Sequence, residues 1–525
     1  MSSRLFVIFT TYELCGGGLI NKLIREGEQV LVAVIRPEWE GDKYKKPKNK
    51  KEEEEFEKKY ELIDKMGEGM FQKEWAEKVV ANLIKHKKDF IDKTYIIWDY
   101  IAGPMFSERL RKEGFKVLGG SKIGYDLEVD RAKTLKLFKE IGYDLPKQIE
   151  FGKGKVDEGI KYLQENQDEL YAFKSDNTDV ATLVAENSNQ EIIDKLEAER
   201  DLINKAPFLL QEKVEGFEGN CETWYSEGKP ILCNVDLEVK KKYNDLSPVQ
   251  TGCAYDLVFA IPINSEIRKL TNAKMDDFMA KNLPLGRMDL SFIYNPTKKK
   301  LYALEVCGDR FGYNQIYTML STLQEGAKIG DFLANYIDGN YVYQIKSAVL
   351  IINGKKYEGK NHYEALENAK KDGQDVSKVN IERDGLFLTT KGKLLTREEA
   401  DKQFGFDHSS EVPQLSLFEG FGASIRVFND SNSGDSLIEF PQGFEDNVWL
   451  WGAYEKEGKL YSLPVDSVAI LTAKGENPES AFAKVRDVWE RFFMNGKYCR
   501  DDFNNPDNPN LPIYRYHIFK KLKFI

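Results

Sequence analysis

Residues Gly286–Gly312 read GRMDLSFIYNPTKKKLYALEVCGDRFG. The stretch predicts two antiparallel strands, MDLSFIY and LYALEV, joined by the turn NPTKKK. Asn295-Pro296 and the charges after it are turn chemistry, and the flanking runs are apolar with β-formers. Each strand carries one acid among apolar neighbours, Asp289 in the first and Glu305 in the second. A carboxylate in a half-buried strand costs free energy unless something compensates it, and a hairpin that joins two of them makes them repel. A hard divalent cation such as Mg²⁺ or Mn²⁺ removes the conflict. Arg287 stands two residues before Asp289, on the same strand face. A cation beside a guanidinium suits a phosphate-bearing ligand. A salt-bridged hairpin without any ligand accounts for the same residues.

Upstream, residues 121–336 offer more of the same chemistry. DLEVDRAKTLKLFKEIG predicts one amphipathic helix with acids at its start. YAFKSDNTDVATLVA reads as strand, polar turn, strand, with Lys174 near the end of the first strand. A lysine there either snorkels to solvent or meets a phosphate. APFLLQEKVEG is an apolar run that ends in acids, and Glu212, Glu215, Glu218 and Glu222 fall close together. GNCETWY and KPILCNVDLEV look like paired strands.

The first 120 residues alternate strands and helices. RLFVIFT, the glycine-rich CGGGLINKLIREG and QVLVAVIR form a βαβ opening, for which a parallel, Rossmann-like sheet is the natural outcome. Gly16, Gly17 and Gly18 stand where a phosphate meets a helix N-terminus, or where a tight turn needs room. The charge-dense KYKKPKNKKEEEEFEKKYELIDKM predicts a solvated loop and an exposed helix.

Beyond residue 336, VYQIKSAVLIINGKKYEGKNHYEALENAKKDG and DGLFLTTKGKLLTREEADKQFGF predict a small α/β module over 347–410, with Thr396 capping a helix and Glu399 reaching back to it. His362 and His408 are expected at its surface, and Asp407, Ser409, Ser410 and Pro413 read as a linker. Residues 411–525 predict a mixed β/α domain: ASIRVF, DSLIEFP, NVWLWGAY and LYSLPVDSVAILTAKG as strands and PESAFAKVRDVWERFF as a helix. The tail IYRYHIFKKLKFI is expected to pack on the body as a strand or arm. The whole is a multidomain chain of α/β and α+β character.

Composition bounds the rest. With 525 residues the chain holds several domains, at ~150 residues each. A net charge of −10 argues against a general nucleic-acid surface. No apolar run approaches the roughly 18 residues of a membrane span. Six scattered cysteines without a CxxC pair fit a reducing cytoplasm and argue against a zinc site.

The order of lysine strand, acid-ended strand and RMD…LEV hairpin resembles the ATP-grasp superfamily. Within it the likeness is greatest to phosphoribosylamine–glycine ligase. LEVDRAK resembles that family's "LEgSKxFxK", FKSD its "VKADG", and YALEVCGDRFG its "viEfNxRfGDPE". VAILTAKG through KYCRDDF resembles its closing domain. The resemblance implies ATP-dependent joining of a carboxylate to an amine through an acyl phosphate, with glycine and phosphoribosylamine as the substrate pair in purine biosynthesis. It implies a cytoplasmic monomer or small homo-oligomer. By the match, Asp289 and Glu305 are metal ligands, and Arg287 and Arg310 act on the reacting groups. Lys174 and Arg131 hold phosphates. Glu212 and the backbone around Val214 meet adenine, and Glu218 or Glu222, with Glu222 favoured, holds the ribose.

The chain departs from the family in four places. Cys307 stands where the family has a metal-binding asparagine, and a thiol is a poor ligand for a hard cation. Asp309, in a one-residue insertion, is the candidate replacement in a metal set of Asp289, Glu305, Cys307 and Asp309. The phosphate loop SDNTDVAT has no glycine, although Ser175, Thr178 and Thr182 supply hydroxyls. TTYELCGGG replaces the family's "GGREHA", and GYNQ replaces "GDPE". Two functions follow as expectations: an ATP-dependent ligase for these or another acid–amine pair, and a catalytically weak nucleotide-binding relative.

Overall fold

The computed structural model describes residues 4–41, 43–176, 180–244, 250–342, 345–389, 394–399, 417–429, 435–504 and 508–525. The N-terminal part is a parallel sheet of β1 (Leu5–Thr10), β2 (Gln29–Val34), β3 (Lys73–Trp75), β4 (Thr94–Trp98) and β5 (Val117–Leu118), in the order β3-β2-β1-β4-β5. Its apolar strands bury both faces, as a doubly covered parallel sheet requires. The glycine run leads into α1 (Gly17–Arg25). A Cβ at Gly17 would lie 2.7 Å from the carbonyl oxygen of Leu450, and one at Gly18 2.7 Å from Cβ of Trp449. Close packing of α1 on a C-terminal strand therefore accounts for these glycines. The charge-dense stretch is an exposed helix, α2 (Lys50–Lys65), capped by Asn49.

The single helix expected over residues 126–142 is broken into α3 (Lys122–Val129) and α4 (Arg131–Ile141). Asp130 leaves the helical region and accepts the Lys133 N–H at 3.0 Å, an N-cap that starts the second helix. A four-stranded sheet follows: β6 (Gln148–Phe151), β7 (Tyr171–Ser175), β8 (Leu183–Val184) and β9 (Phe208–Glu212), in the order β8-β7-β9-β6. Residues 213–216 lead out of it. Gly216 lies at φ +152°, where a Cβ would stand 2.2 Å from the carbonyl oxygen of Tyr294, so only glycine fits.

The largest sheet has nine strands. β10 (Phe217–Ser226), β11 (Lys229–Lys241), β12 (Gln250–Ile261), β13 (Gly286–Asn295) and β14 (Lys300–Gly308) continue into β15 (Phe421–Asn429), β16 (Val448–Leu450) and β17 (Ser467–Gly475). The order is β14-β13-β10-β11-β12-β15-β17-β16, with Lys497–Tyr498 paired to β15. One face is apolar. Val235, Leu237, Leu257, Phe259, Phe292 and Ile425 pack with Phe482 and Val485 of α6 (Pro478–Arg491) and with Phe519 of α7 (Pro512–Lys521). Each such side chain contributes about 1.5–3 kcal/mol when fully buried.

The tail is thus a helix and not a strand or arm. Pro512 sits in the first turn, where its missing N–H costs nothing. Helical geometry lets Ile513, Tyr516 and Phe519 share the buried side. It does pack on the body, as expected. The module beyond residue 345 has the strands Ile345–Ile352, Lys355–Gly359, Leu386–Thr389 and Leu394–Thr396, with a helix over His362–Lys371. The reciprocal Thr396–Glu399 cap is present. His362 is buried, against expectation, because its ring nitrogen bonds the Leu386 carbonyl at 2.9 Å. His408 and the linker residues lie outside the described residues. Among the described residues no helix is long and apolar enough to cross a membrane.

The α1 contact is testable by a single methyl group. Gly17→Ala is expected to lower stability by about 1–3 kcal/mol through overpacking, read by urea unfolding. An unchanged midpoint would show that α1 does not depend on this approach.

Candidate active site

The site begins with a slip in the β13–β14 ladder. Phe292 faces Ala303, but the next pair is Ser291 with Glu305, so Leu304 is left without an opposite residue. Beyond this bulge Asp289 faces Cys307. An unbroken ladder would set Val306 against Asp289 and turn Glu305 to the other face, because strand side chains alternate. The bulge thus gathers Arg287, Asp289, Ser291, Glu305 and Cys307 on one face.

The neighbouring strands extend that face. Glu222 lies opposite Asp289 and Asn220 opposite Ser291, while Asn234 and Asp236 follow on β11 and Asp256 faces Glu238 from β12. The helix α5 (Asn314–Leu320) covers part of it with polar side chains. Gln315 donates to Glu238 at 3.1 Å, and Thr318 and Ser424 donate to Asp256 at 2.8 and 2.6 Å. Burial pushes Asp256 up to about 7 and Asp236 well above the usual carboxylate range.

Arg287 is 2% exposed. It is ion-paired to Glu222 and donates to the Arg310 carbonyl at 3.1 Å, while its Nε has no partner. Burial and the charge of Glu222 raise the pKa of Asp289, whose Oδ1 also lacks a partner. Glu305 behaves oppositely: Lys240 holds it down to about 2.

The opposite wall comes from the four-stranded sheet and α4. Lys174, near the end of β7, is lowered to about 8 by burial, against the pull of Glu305. Arg131, the first residue of α4, contributes to the same field and has an unpartnered Nη1. Lys174 and Arg131 therefore share one electrostatic environment with Glu305. Glu212 ends β9, where Lys298 approaches it at 3.5 Å, and Val214 lies half-buried in the link between the sheets. Glu218 opens the large sheet, with its side chain 39% exposed. Thr178 of the phosphate loop lies outside the described residues.

Two assignments are corrected. Glu222 was favoured for the ribose, but it is fully buried, paired with Arg287 and bonded by Asn234 at 3.2 Å. It is a partner of Arg287 within the sheet, whereas Glu218 is partly exposed and ion-paired to Lys240 at 3.2 Å. Asp309 does not join the Asp289–Glu305 face. Its Oδ2 accepts the Ser121 N–H at 2.9 Å and its carbonyl the Gly120 N–H at 2.6 Å, which ties it to the start of α3. Burial pushes the Cys307 thiol well up, so it stays protonated and unsuited to a hard cation.

Three residues escaped the sequence reading. Glu128 of α3 pairs with Arg310 at 3.1 Å and accepts the Gly308 N–H at 3.2 Å. It fixes Arg310 with its guanidinium 4.1 Å from the centre of the Tyr313 ring. Arg515 of α7 donates to the carbonyls of Glu218 and Glu238 at 2.8 and 2.6 Å. Lys240 contacts Glu305. Only Glu128 had a signal, as an acid within the LEVDRAK motif.

Among the described residues no three His, Cys, Asp or Glu side chains are arranged to hold a metal unaided. Asp289, with its orphaned oxygen, and Glu305 nevertheless suit a Mg²⁺-like ion, which takes one or two carboxylates and completes its shell from phosphate and water. The donor set fits such an ion through these two residues and not through Cys307 or Asp309.

No protein-family model and no curated protein matches the sequence. Solved structures do match. Phosphoribosylamine–glycine ligase from Thermotoga maritima aligns at 15% identity over 95% of this chain and 99% of its own, with a TM-score of 0.57. The biotin carboxylase domain of 2-oxoglutarate carboxylase from Hydrogenobacter thermophilus, in complex with MgADP, ADP and bicarbonate, aligns at 13% identity over 99% and 98%, with a TM-score of 0.54. Biotin carboxylase from Campylobacter jejuni, bound to an ATP compound, aligns at 12% identity over 98% of both chains, with a TM-score of 0.53. The chain therefore has the ATP-grasp fold that its motifs resemble, in a divergent form.

Proposed function

We propose that this protein is an ATP-dependent ligase that joins a carboxylate to an amine, with glycine and phosphoribosylamine as the leading pair. The observation that carries the reading is the single face shared by Asp289 and Glu305, within the field of Lys174 and Arg131. In this reading residues 1–120 and 411–525 flank an ATP-grasp body over 121–336, and 347–410 is an inserted module.

The roles follow from chemistry. Glu212 and the backbone at Val214 border the adenine, Glu218 holds the ribose, and Lys174 and Arg131 hold phosphate oxygens. Asp289 and Glu305 hold the metal, which neutralises charge on the triphosphate during transfer. Arg287 and Arg310 stabilise the anionic oxygens of the reacting acyl and phosphoryl groups, each as a preorganised donor whose own partner keeps it in place. Cys307 and the glycine-free loop favour a second reading, a nucleotide-binding relative with weak catalysis. ADP release from Mg-ATP, screened over acids and amines, separates the two. Turnover with glycine and phosphoribosylamine supports the leading pair, turnover without glycine assigns another pair, and nucleotide binding without turnover leaves the second reading.

Asp289→Asn and Glu305→Gln are each expected to abolish metal-dependent ADP release, with the unfolding transition retained. Wild-type activity in either variant would misplace the metal. Cys307→Asn returns an oxygen donor opposite Asp289 and is expected to lower the Mg²⁺ concentration for half-maximal nucleotide binding several-fold. An unchanged requirement would remove position 307 from the metal shell. Lys174, faced by Glu305, Glu218, Arg131 and Lys240, carries its charge below about pH 8 and loses it above. Nucleotide affinity is therefore expected to fall as the pH rises through that value and to hold steady in Lys174→Arg, measured by calorimetric titration with ADP. Parallel profiles for the two proteins would count against a phosphate role for Lys174.

A further inference from the structure

Three carboxylates from three strands converge on one ammonium. Lys240 Nζ lies 3.2 Å from Glu218 Oε1, 3.3 Å from Glu238 Oε1 and 3.4 Å from Glu305 Oε1. Near-equal distances to all three describe a central cation and not one salt bridge with bystanders. Lys240 occupies a second irregularity of the sheet, since β11 pairs Val239 with Tyr255 and then slips before Lys241 pairs with Gln250. Bulges of this kind re-aim a side chain.

The same face carries more oxygen than the ammonium satisfies. Asn220 Oδ1, Asp236 Oδ1, Ser291 Oγ and Asp289 Oδ1 have no hydrogen-bond partner, and none of these residues is more than 2% exposed. Asn220 ties them to the cluster by donating to Glu238 at 2.9 Å. An ammonium offers three donors, whereas a hard divalent ion takes six or more oxygens. Carboxylates from three strands beside orphaned acceptors are therefore better matched to a divalent cation than to a lysine.

We infer that Lys240 is the resident cation of a second oxygen site, so that the protein takes one divalent ion with its nucleotide where the oxygens alone would take two. The inference rests on the proposed nucleotide site through Glu305, which both cation positions share, and through Glu218 and Asp289, which have roles in that reading. Lys240 thereby sets the metal stoichiometry from within the sheet, as a fixed charge that no chelator removes.

The test counts Mn²⁺ by electron paramagnetic resonance in the full-length protein, with and without saturating ADP. Wild type is expected to hold one Mn²⁺ per ADP, and Lys240→Met and Lys240→Gln two. Without nucleotide, both variants are expected to bind Mn²⁺ at least tenfold more tightly than wild type. Lys240→Arg keeps the charge and is expected to stay at one, which leaves a test in hand if the neutral variants do not fold. Two Mn²⁺ in wild type or in Lys240→Arg overturns the inference, as does a single Mn²⁺ in neutral variants that keep the wild-type unfolding transition. If ADP does not bind wild type, the ligase reading fails separately. The nucleotide-free titration then decides: tenfold tightening upholds the role of Lys240, and unchanged affinity removes it.

Discussion

One unpaired residue, Leu304, governs the chemistry of this protein. Because strand side chains alternate with a period of two, a slip of one position exchanges every residue between the faces of a sheet. The slip at Leu304 is what moves Glu305 from the side of Leu290 to the side of Asp289. Without it the apolar face would bury a carboxylate among Met288, Leu290 and Ala303, and the polar face would lose its second acid. The bulge satisfies both faces at once, so the requirement for a dry core and the requirement for paired acids are met by the same distortion.

A polar face buried this deeply is costly, and the structure offsets the cost in different ways at different places. Arg287 and Glu222 neutralise each other, and removing either would strand a buried charge at about 3–5 kcal/mol. Asp256 accepts two hydroxyl donors and is pushed up to about 7 by burial, so its charge is reduced at neutral pH. Glu305 keeps its charge because Lys240 is beside it. What these compensations leave over is informative: atoms without a partner remain on Asp289, Asn220, Asp236 and Ser291, and on Arg287 Nε and Arg131 Nη1.

The hairpin, its two acids, Arg287 and Lys174 were legible in the sequence because turn chemistry and alternation act over a few residues. The bulge was not, since nothing in LYALEV distinguishes a regular strand from one with Leu304 unpaired. Asp309 entered the candidate metal set as a replacement for the family's asparagine, whereas its carboxylate accepts the Ser121 N–H, a partner almost two hundred positions away. Glu222 and Glu218 could not be told apart by spacing, because what separates them is burial. The tail IYRYHIFKKLKFI alone suits a strand or arm. Only the apolar face of the large sheet, which Phe519 covers beside Phe292, reveals why it is helical. Lys240 was hidden in the run LEVKKK, where three lysines look equally solvated.

Cys307 and Lys240 point the same way. Cys307 withdraws an oxygen donor from the position opposite Asp289, and Lys240 fills a cluster of carboxylates with a charge built into the chain. The neutral thiol offers a hard cation no oxygen, and the ammonium neutralises carboxylates that would otherwise suit one. Together they shift part of the neutralising work from exchangeable ions to side chains. Lys174, Arg131, Arg287 and Lys240 supply that positive charge from four different elements, β7, α4, β13 and β11. Such an arrangement gives up adaptability, because a lysine cannot follow a moving phosphoryl group as a hydrated ion can. It gains independence from the supply of free metal, since in the proposed reading only the ion held by Asp289 and Glu305 would be recruited from solution.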